Sequence, residues 1–180
     1  AKACWEKLKP TLSPAQRENH PARFALAELV NLHSPALQFK PVHRILTGVS
    51  PEELSAAFGQ WLAARGMGLE SGNDIVFLRD EVRRGYRITG AGDRLPIALV
   101  QPFLDDFRKL HPACGIDYIH GDEVLARLAH ETGGCGILLP PISKSSLFPG
   151  IRAGGVLPRK TFSMGEAQEK RYYFECRKIL

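Results

Sequence analysis

The stretch SPEELSAAFGQWLAARG, residues 50–66, leaves the chain the least conformational freedom. Ser50 offers a side-chain oxygen to the open amides of a first helical turn. Pro51 suits the first helical position, and Glu53 completes a reciprocal capping arrangement. Leu54, Phe58, Trp61 and Leu62 recur at helical spacing on one face, and Gly66 supplies a left-handed exit. That face has to be buried against something. PVHRILTGV before the helix, and DIVFLRD and RGYRITG after it, read as β-strands, the latter two antiparallel and joined through EVRR. A one-sided helix set between strands implies a sheet for it to lie on.

The remaining segments extend the same pattern. LPIALVQPFLDDFRKLHP is a second amphipathic helix built on Leu99, Phe103, Phe107 and Leu110, with its regular part expected from Pro102. GIDYIHG is a short strand between glycines, and Asp122 is expected to cap the helix EVLARLAHET. CGILLPP reads as a buried strand and SSLFPGIRAGG as a short broken helix. RYYFECRKI alternates as a last strand with one buried face. Near the start, AKACWEKLK is a short helix stopped by Pro10, and Ser13 with Pro14 opens another turn or two. ARFALAELVNL fits a helix face or a buried strand, and its turn-like and β-rich neighbours favour the strand. MGLESGND and TGAGD read as turns. Strands and helices follow no regular alternation. The expectation is an α+β fold: a mixed, largely antiparallel sheet with helices packed on it, not a Rossmann sheet, and one domain over residues 1–180.

A chain of 180 residues, 44% hydrophobic and 24% charged, buries a core without staples. Charge or proline breaks each apolar stretch before membrane-spanning length. The formal charge of +5 favours a small anionic partner, such as phosphate or a nucleotide, and no nucleic-acid-binding motif accompanies it. Cys4, Cys114, Cys135 and Cys176 are widely spaced and make no metal or redox pair, which fits a reducing cytoplasm. No histidine spacing suggests zinc. The opening AKACWEKLKP carries no apolar leader and reads as a helix already in progress, so the chain is expected to be the C-terminal portion of a longer protein.

Three clusters hold chemistry. In PVHRIL, strand alternation sends one of His43 and Arg44 to the core face and the other away. Arg44 is suited to fork onto a phosphate and His43 to shuttle a proton; the plainer role is a half-buried histidine beside a surface arginine. In IDYIHGDE, Asp117 and His120 bracket a β segment and suit acid–base work. Asp122 and Glu123 either hold a magnesium ion or only cap the helix. In LPRKTFSMG, Arg159 and Lys160 bring charge, Thr161 and Ser163 bring hydroxyls, and Gly165 frees the end, giving either an anion cradle or a polar connector. The string is not a P-loop. SKSS at 143–146 adds a helix start friendly to anions.

ENHPARFALAELVNLHSPALQFKPVHRIL, IDYIHG and LPRKTFSMGEAQEKRYYFECRKI, in that order, resemble the bacterial and archaeal family catalogued as domain of unknown function 1015. The family name brings no reaction. Its members are longer and carry an Asp-Gly-His-His or Asp-Gly-Asn-His stretch just before the point where this chain starts. That stretch is similar to the motif of ParB-related proteins and free-serine kinases, which bind nucleotide phosphates. His43, Arg44, Asp117, His120, Arg159, Lys160 and Thr161 fall in the family's distinctive segments. Taken with the chemistry of the three clusters, the expectation is part of a phosphate- or nucleotide-binding cleft, phosphotransferase-like, with a nucleotide and magnesium as the expected ligands. In it Asp117, His120 and His43 would do the chemistry, and Arg44, Arg159, Lys160, Thr161 and Ser163 would hold the anion. The competing reading is a non-catalytic binding or assembly domain.

Overall fold

The computed structural model of the chain describes residues 2–25 and 29–165. It divides into two compact units, Ala1–Leu32 and His33–Leu180. In the first, α1 (Lys2–Leu8) runs into a 3-10 turn at Lys9–Thr11, and α2 (Pro14–Glu18) follows under a full capping box of Ser13 and Gln16. The strand expected over ARFALAELVNL is not formed by its described residues. The His20 ring accepts the Ala22 amide, and Pro21 starts a 3-10 turn over Pro21–Arg23. Phe24, Leu29 and Val30 stay exposed, so the burial that would stabilise a strand there is missing.

The second unit holds β1 (Phe39–Leu46), α3 (Pro51–Ala63), β2 (Gly68–Arg79) and β3 (Val82–Thr89). After these come α4 (Pro96–Leu110), β4 (Ile116–His120), α5 (Asp122–Thr132), β5 (Cys135–Leu138), α6 (Lys144–Gly154) and β6 (Phe162–Met164). The strand order is β3-β2-β5-β1-β4, with β6 paired to the start of β1. Every described pairing is antiparallel, which makes the fold α+β and excludes a Rossmann sheet. RYYFECRKI lies outside the described residues.

Helices cover both faces of the sheet. On one face Leu54, Phe58 and Leu62 of α3 and Val100, Phe103 and Leu104 of α4 meet Leu46, Phe77 and Ile137. Phe58 is fully buried, with the Phe103 and Phe77 rings 4.9 and 6.1 Å away. On the other face Leu125 and Ala129 of α5 meet Ile45, Leu78 and Ile119. That helix comes close because β5 carries Gly136 beneath it: a Cβ there would lie 3.1 Å from Leu125 and 3.0 Å from Leu78.

Three local expectations change. Most of MGLESGND belongs to β2: the register with β3 shifts between Ser71 and Ile75, so the polar residues form an irregularity within a long strand. Helix α4 begins at Pro96 and contains Pro102. Burial of Ile97, Leu99 and Val100 holds the turn before Pro102 in place despite the amide hydrogen that Pro102 lacks. The Ser50–Glu53 capping box forms as expected and Gly66 takes φ +71°. Asp122, however, does not cap α5: the cap position belongs to Gly121, at φ +93°, and Asp122 is the first helical residue.

Candidate functional site

Strand β1 brings the first cluster to the middle of the sheet. Alternation places His43 and Arg44 on opposite faces, but both are buried, to 2% and 0% exposure, because both faces are covered. Arg44 therefore departs from either sequence reading. Its guanidinium donates to the Val42 carbonyl, to Gln101 Oε1 of α4 at 3.2 Å, and to the Arg159 carbonyl at 3.5 Å. It lies 5.0 Å from the centre of the Tyr118 ring. Gln101 passes the contact on by donating to Asp105 at 3.0 Å. Burial pulls the Arg44 pKa down to about 10, opposed by Tyr118 and Asp105. These donors are spent on the protein, so Arg44 ties together β1, α4 and the turn at Pro158–Thr161.

His43 is held at both nitrogens. The Leu139 amide donates to Nδ1 at 3.1 Å, and Nε2 lies 2.9 Å from Asp122 Oδ1. An acceptor at Nδ1 fixes the proton on Nε2, so His43 donates to the carboxylate. Burial lowers the His43 pKa, the hydrogen bond and charge of Asp122 push it back, and His120 and Arg44 lower it further. Both ring nitrogens are occupied, which leaves no open nitrogen to shuttle a proton. The group the pair presents outward is Asp122, whose side chain is 74% exposed.

The carboxylate opens into a hollow of about 510 Å³ whose walls include Phe39, Lys40, Pro41, His120 and Pro141. His120 also lines a second hollow of about 410 Å³, with Val42, Tyr118, Lys160, Phe162 and Ser163. Strand β6 carries that second wall: Lys40 pairs with Ser163 and Pro41 with Phe162, and the Phe39 and Phe162 rings lie 4.5 Å apart. The LPRKTFSMG segment thus forms a turn and a short strand. Lys160 sits in the turn at φ +59° with its residue exposed.

The structure therefore brings His120 together with His43 through one hollow and with Lys160 and Ser163 through the other. It does not bring in the remaining candidates. Asp117 lies opposite Ile45 while His120 lies opposite Val42, three residues along β4 and on the other face. Its carboxylate accepts the Tyr118 amide at 2.7 Å, so it does not orient His120. Thr161 is buried and donates its hydroxyl to the Pro158 carbonyl. Arg159 contributes its carbonyl to Arg44 and lines neither hollow. Asp122 is the residue for which the sequence left a magnesium ligand and a helix cap both open, and the structure removes the cap. The signal was Gly121: a glycine able to take the cap position itself leaves the next carboxylate free to reach elsewhere. Among the described residues, no group of three or more His, Cys, Asp and Glu side chains is set to hold a metal ion.

This is an antiparallel α+β fold with a polar site at the junction of β1, β4 and β6. The chain belongs to the family described as Protein of unknown function (DUF1015), whose model matches residues 1–132. That match covers PVHRIL and IDYIHG and ends before LPRKTFSMG. A search of curated proteins found no match. Two solved structures share the fold. One is a conserved hypothetical protein from Pyrococcus furiosus, at 13% identity and TM-score 0.51, covering 78% of this chain and 61% of that one. The other is a point mutant of a free serine kinase in complex with AMP, at 13% identity and TM-score 0.52, covering 77% of this chain and 58% of that one. The chain thus spans about three-fifths of the length of either structure. Among the described residues no helix is long and apolar enough to cross a membrane.

Proposed function

We propose that the two hollows around His120 form part of a cleft for a phosphate-bearing ligand, a nucleotide by preference, in a phosphotransferase-like protein. The observation that carries this reading is the placement of His120 between Lys40 on one side and Lys160 with Ser163 on the other. Cations lining one surface attract an anionic ligand. Hollows of this size suit small ligands. The fold shared with an AMP-bound kinase adds support at the level of architecture. In this reading Arg44 acts indirectly, as the buried brace that sets the backbone of the turn bearing Lys160.

Calorimetric titration of the full chain with inorganic phosphate, AMP, ADP and ATP tests the proposal. The expected result is saturable binding that Lys160→Ala and His120→Ala each weaken by about 1–3 kcal/mol, the range for a charge-assisted hydrogen bond, with little change in stability. No saturable binding of any of the four overturns it. Binding with no phosphoryl transfer in the full chain favours a non-catalytic binding domain.

A further inference from the structure

The cleft contains one group that an anion does not explain. Asp122 puts a 74% exposed carboxylate into the same hollow as Lys40 and His120. Facing a phosphate directly it would be repulsive. Yet a nearly fully buried imidazole is arranged to hold it: His43 receives the Leu139 amide at Nδ1 and turns its one remaining N–H onto Asp122. Helix capping does not account for this, because Gly121 holds the cap position and α5 has no side-chain cap.

We propose that Asp122, positioned by His43, binds the divalent cation that accompanies a nucleotide's phosphates in this cleft. This rests on the nucleotide reading above. Magnesium keeps several waters and is commonly bound by one or two carboxylates plus substrate phosphates, so a single protein carboxylate beside an anion site is sufficient. That mode asks for no larger cluster of protein ligands, and among the described residues there is none. A cation between Asp122 and the phosphates also turns the repulsion into attraction. His43 touches neither ligand; it orients the ligating carboxylate, as outer-shell partners of metal ligands do. A hydroxyl or amine donor on the ligand would also suit Asp122, but would leave its repulsion of a neighbouring phosphate uncancelled.

The test uses the full chain with ADP and with Mg²⁺ or Mn²⁺. In the wild type, ADP should bind about ten- to a hundredfold tighter with Mg²⁺ than with EDTA, the scale of one charge-assisted contact. Asp122→Asn keeps an oxygen to accept from His43 and removes only the charge. In EDTA it should bind ADP more tightly than the wild type, because the repulsion is gone, and it should lose the Mg²⁺ enhancement. His43→Gln, whose amide can accept from Leu139 and donate to Asp122, should keep part of the enhancement, whereas His43→Ala should lose it. Mn²⁺ alone should broaden the His43 and His120 NMR signals of the wild type, and Asp122→Asn should abolish the broadening. An enhancement that survives Asp122→Asn overturns the inference while leaving the nucleotide reading intact. Failure of ADP to bind at all overturns the nucleotide reading. The Mn²⁺ experiment then decides the cation site separately, and no broadening there overturns it.

Discussion

Helix α5 is pinned at both ends by a histidine and an aspartate, and the two pairs behave in opposite ways. At its start, Asp122 belongs to the helix and His43 to the sheet beneath it, 2.9 Å away, with the imidazole buried. At its end, His130 belongs to the helix and Asp80 to the β2–β3 turn, 2.5 Å away, with both side chains exposed. Burial lowers the His43 pKa, whereas the hydrogen bond and charge of Asp80 raise that of His130, with a smaller push from Glu131. The same two side-chain types thus give a neutral donor of fixed tautomer at one end and a protonatable surface ion pair at the other. Desolvation, not proximity of a carboxylate, separates them.

The largest break in this comparison comes from removing the imidazoles. His43→Ala leaves the Leu139 amide without its acceptor in a buried place. It should lower the unfolding free energy by about 1–3 kcal/mol in urea titrations. His130→Ala should leave the denaturation midpoint nearly unmoved, because exposed ion pairs contribute little. Equal losses for the two variants would show that burial does not separate the two ends of α5.

A smaller effect should separate two substitutions at His43. Gln retains one acceptor and two donors, so His43→Gln should recover at least half of the loss seen in His43→Ala. If Gln is as damaging as Ala, shape rather than hydrogen bonding holds the site.

The pH dependence should differ in sign. The folded protein keeps His43 neutral to lower pH than the unfolded chain does, whose value is 6.5. Its contribution is therefore complete above the unfolded value and declines as the pH falls below it, toward the lowered folded value. For His130 the folded value is raised above 6.5, so its contribution is complete below the unfolded value and disappears as the pH rises through the folded one. Two-dimensional NMR titration of the imidazoles should show midpoints on opposite sides of 6.5. Midpoints on the same side would break the comparison.

The smallest expected difference is in salt. Raising sodium chloride from low to molar concentration should shift the His130 midpoint back toward its ordinary value and leave that of His43 nearly in place, since screening acts on exposed charges.

Local signals in the sequence were sufficient for much of this. Ser50, Pro51 and Glu53 specify the start of α3 through bonds made within four residues, so the residues alone determine it. The apolar spacing of α3 and α4, the glycines around IDYIHG, the prolines that stop CGILLPP and the irregular order of strands were likewise enough for an α+β fold with a largely antiparallel sheet and for β4 and β5 within it, while only the structure showed that every described pairing is antiparallel. PVHRIL, IDYIHG and LPRKTFSMG stood out as strings, and two hollows meet at residues from all three.

The tertiary structure decided which side chain does what. Alternation separates His43 from Arg44, but only the second layer of helices buries both. A strand pattern tells which face a residue takes, not whether that face meets water. Arg44 became a brace because carbonyls and Gln101 from 57 residues along the chain arrive around it. Asp122 left the capping role because His43 lies 79 residues earlier and its other nitrogen is closed by Leu139. Asp117 and His120 are close in sequence yet lie on opposite faces of β4, while His120 and Lys160, 40 positions apart, line one hollow. Caps and periodicities depend on neighbours a few residues away. A site depends on which distant backbones the core brings together, and no local pattern contains that.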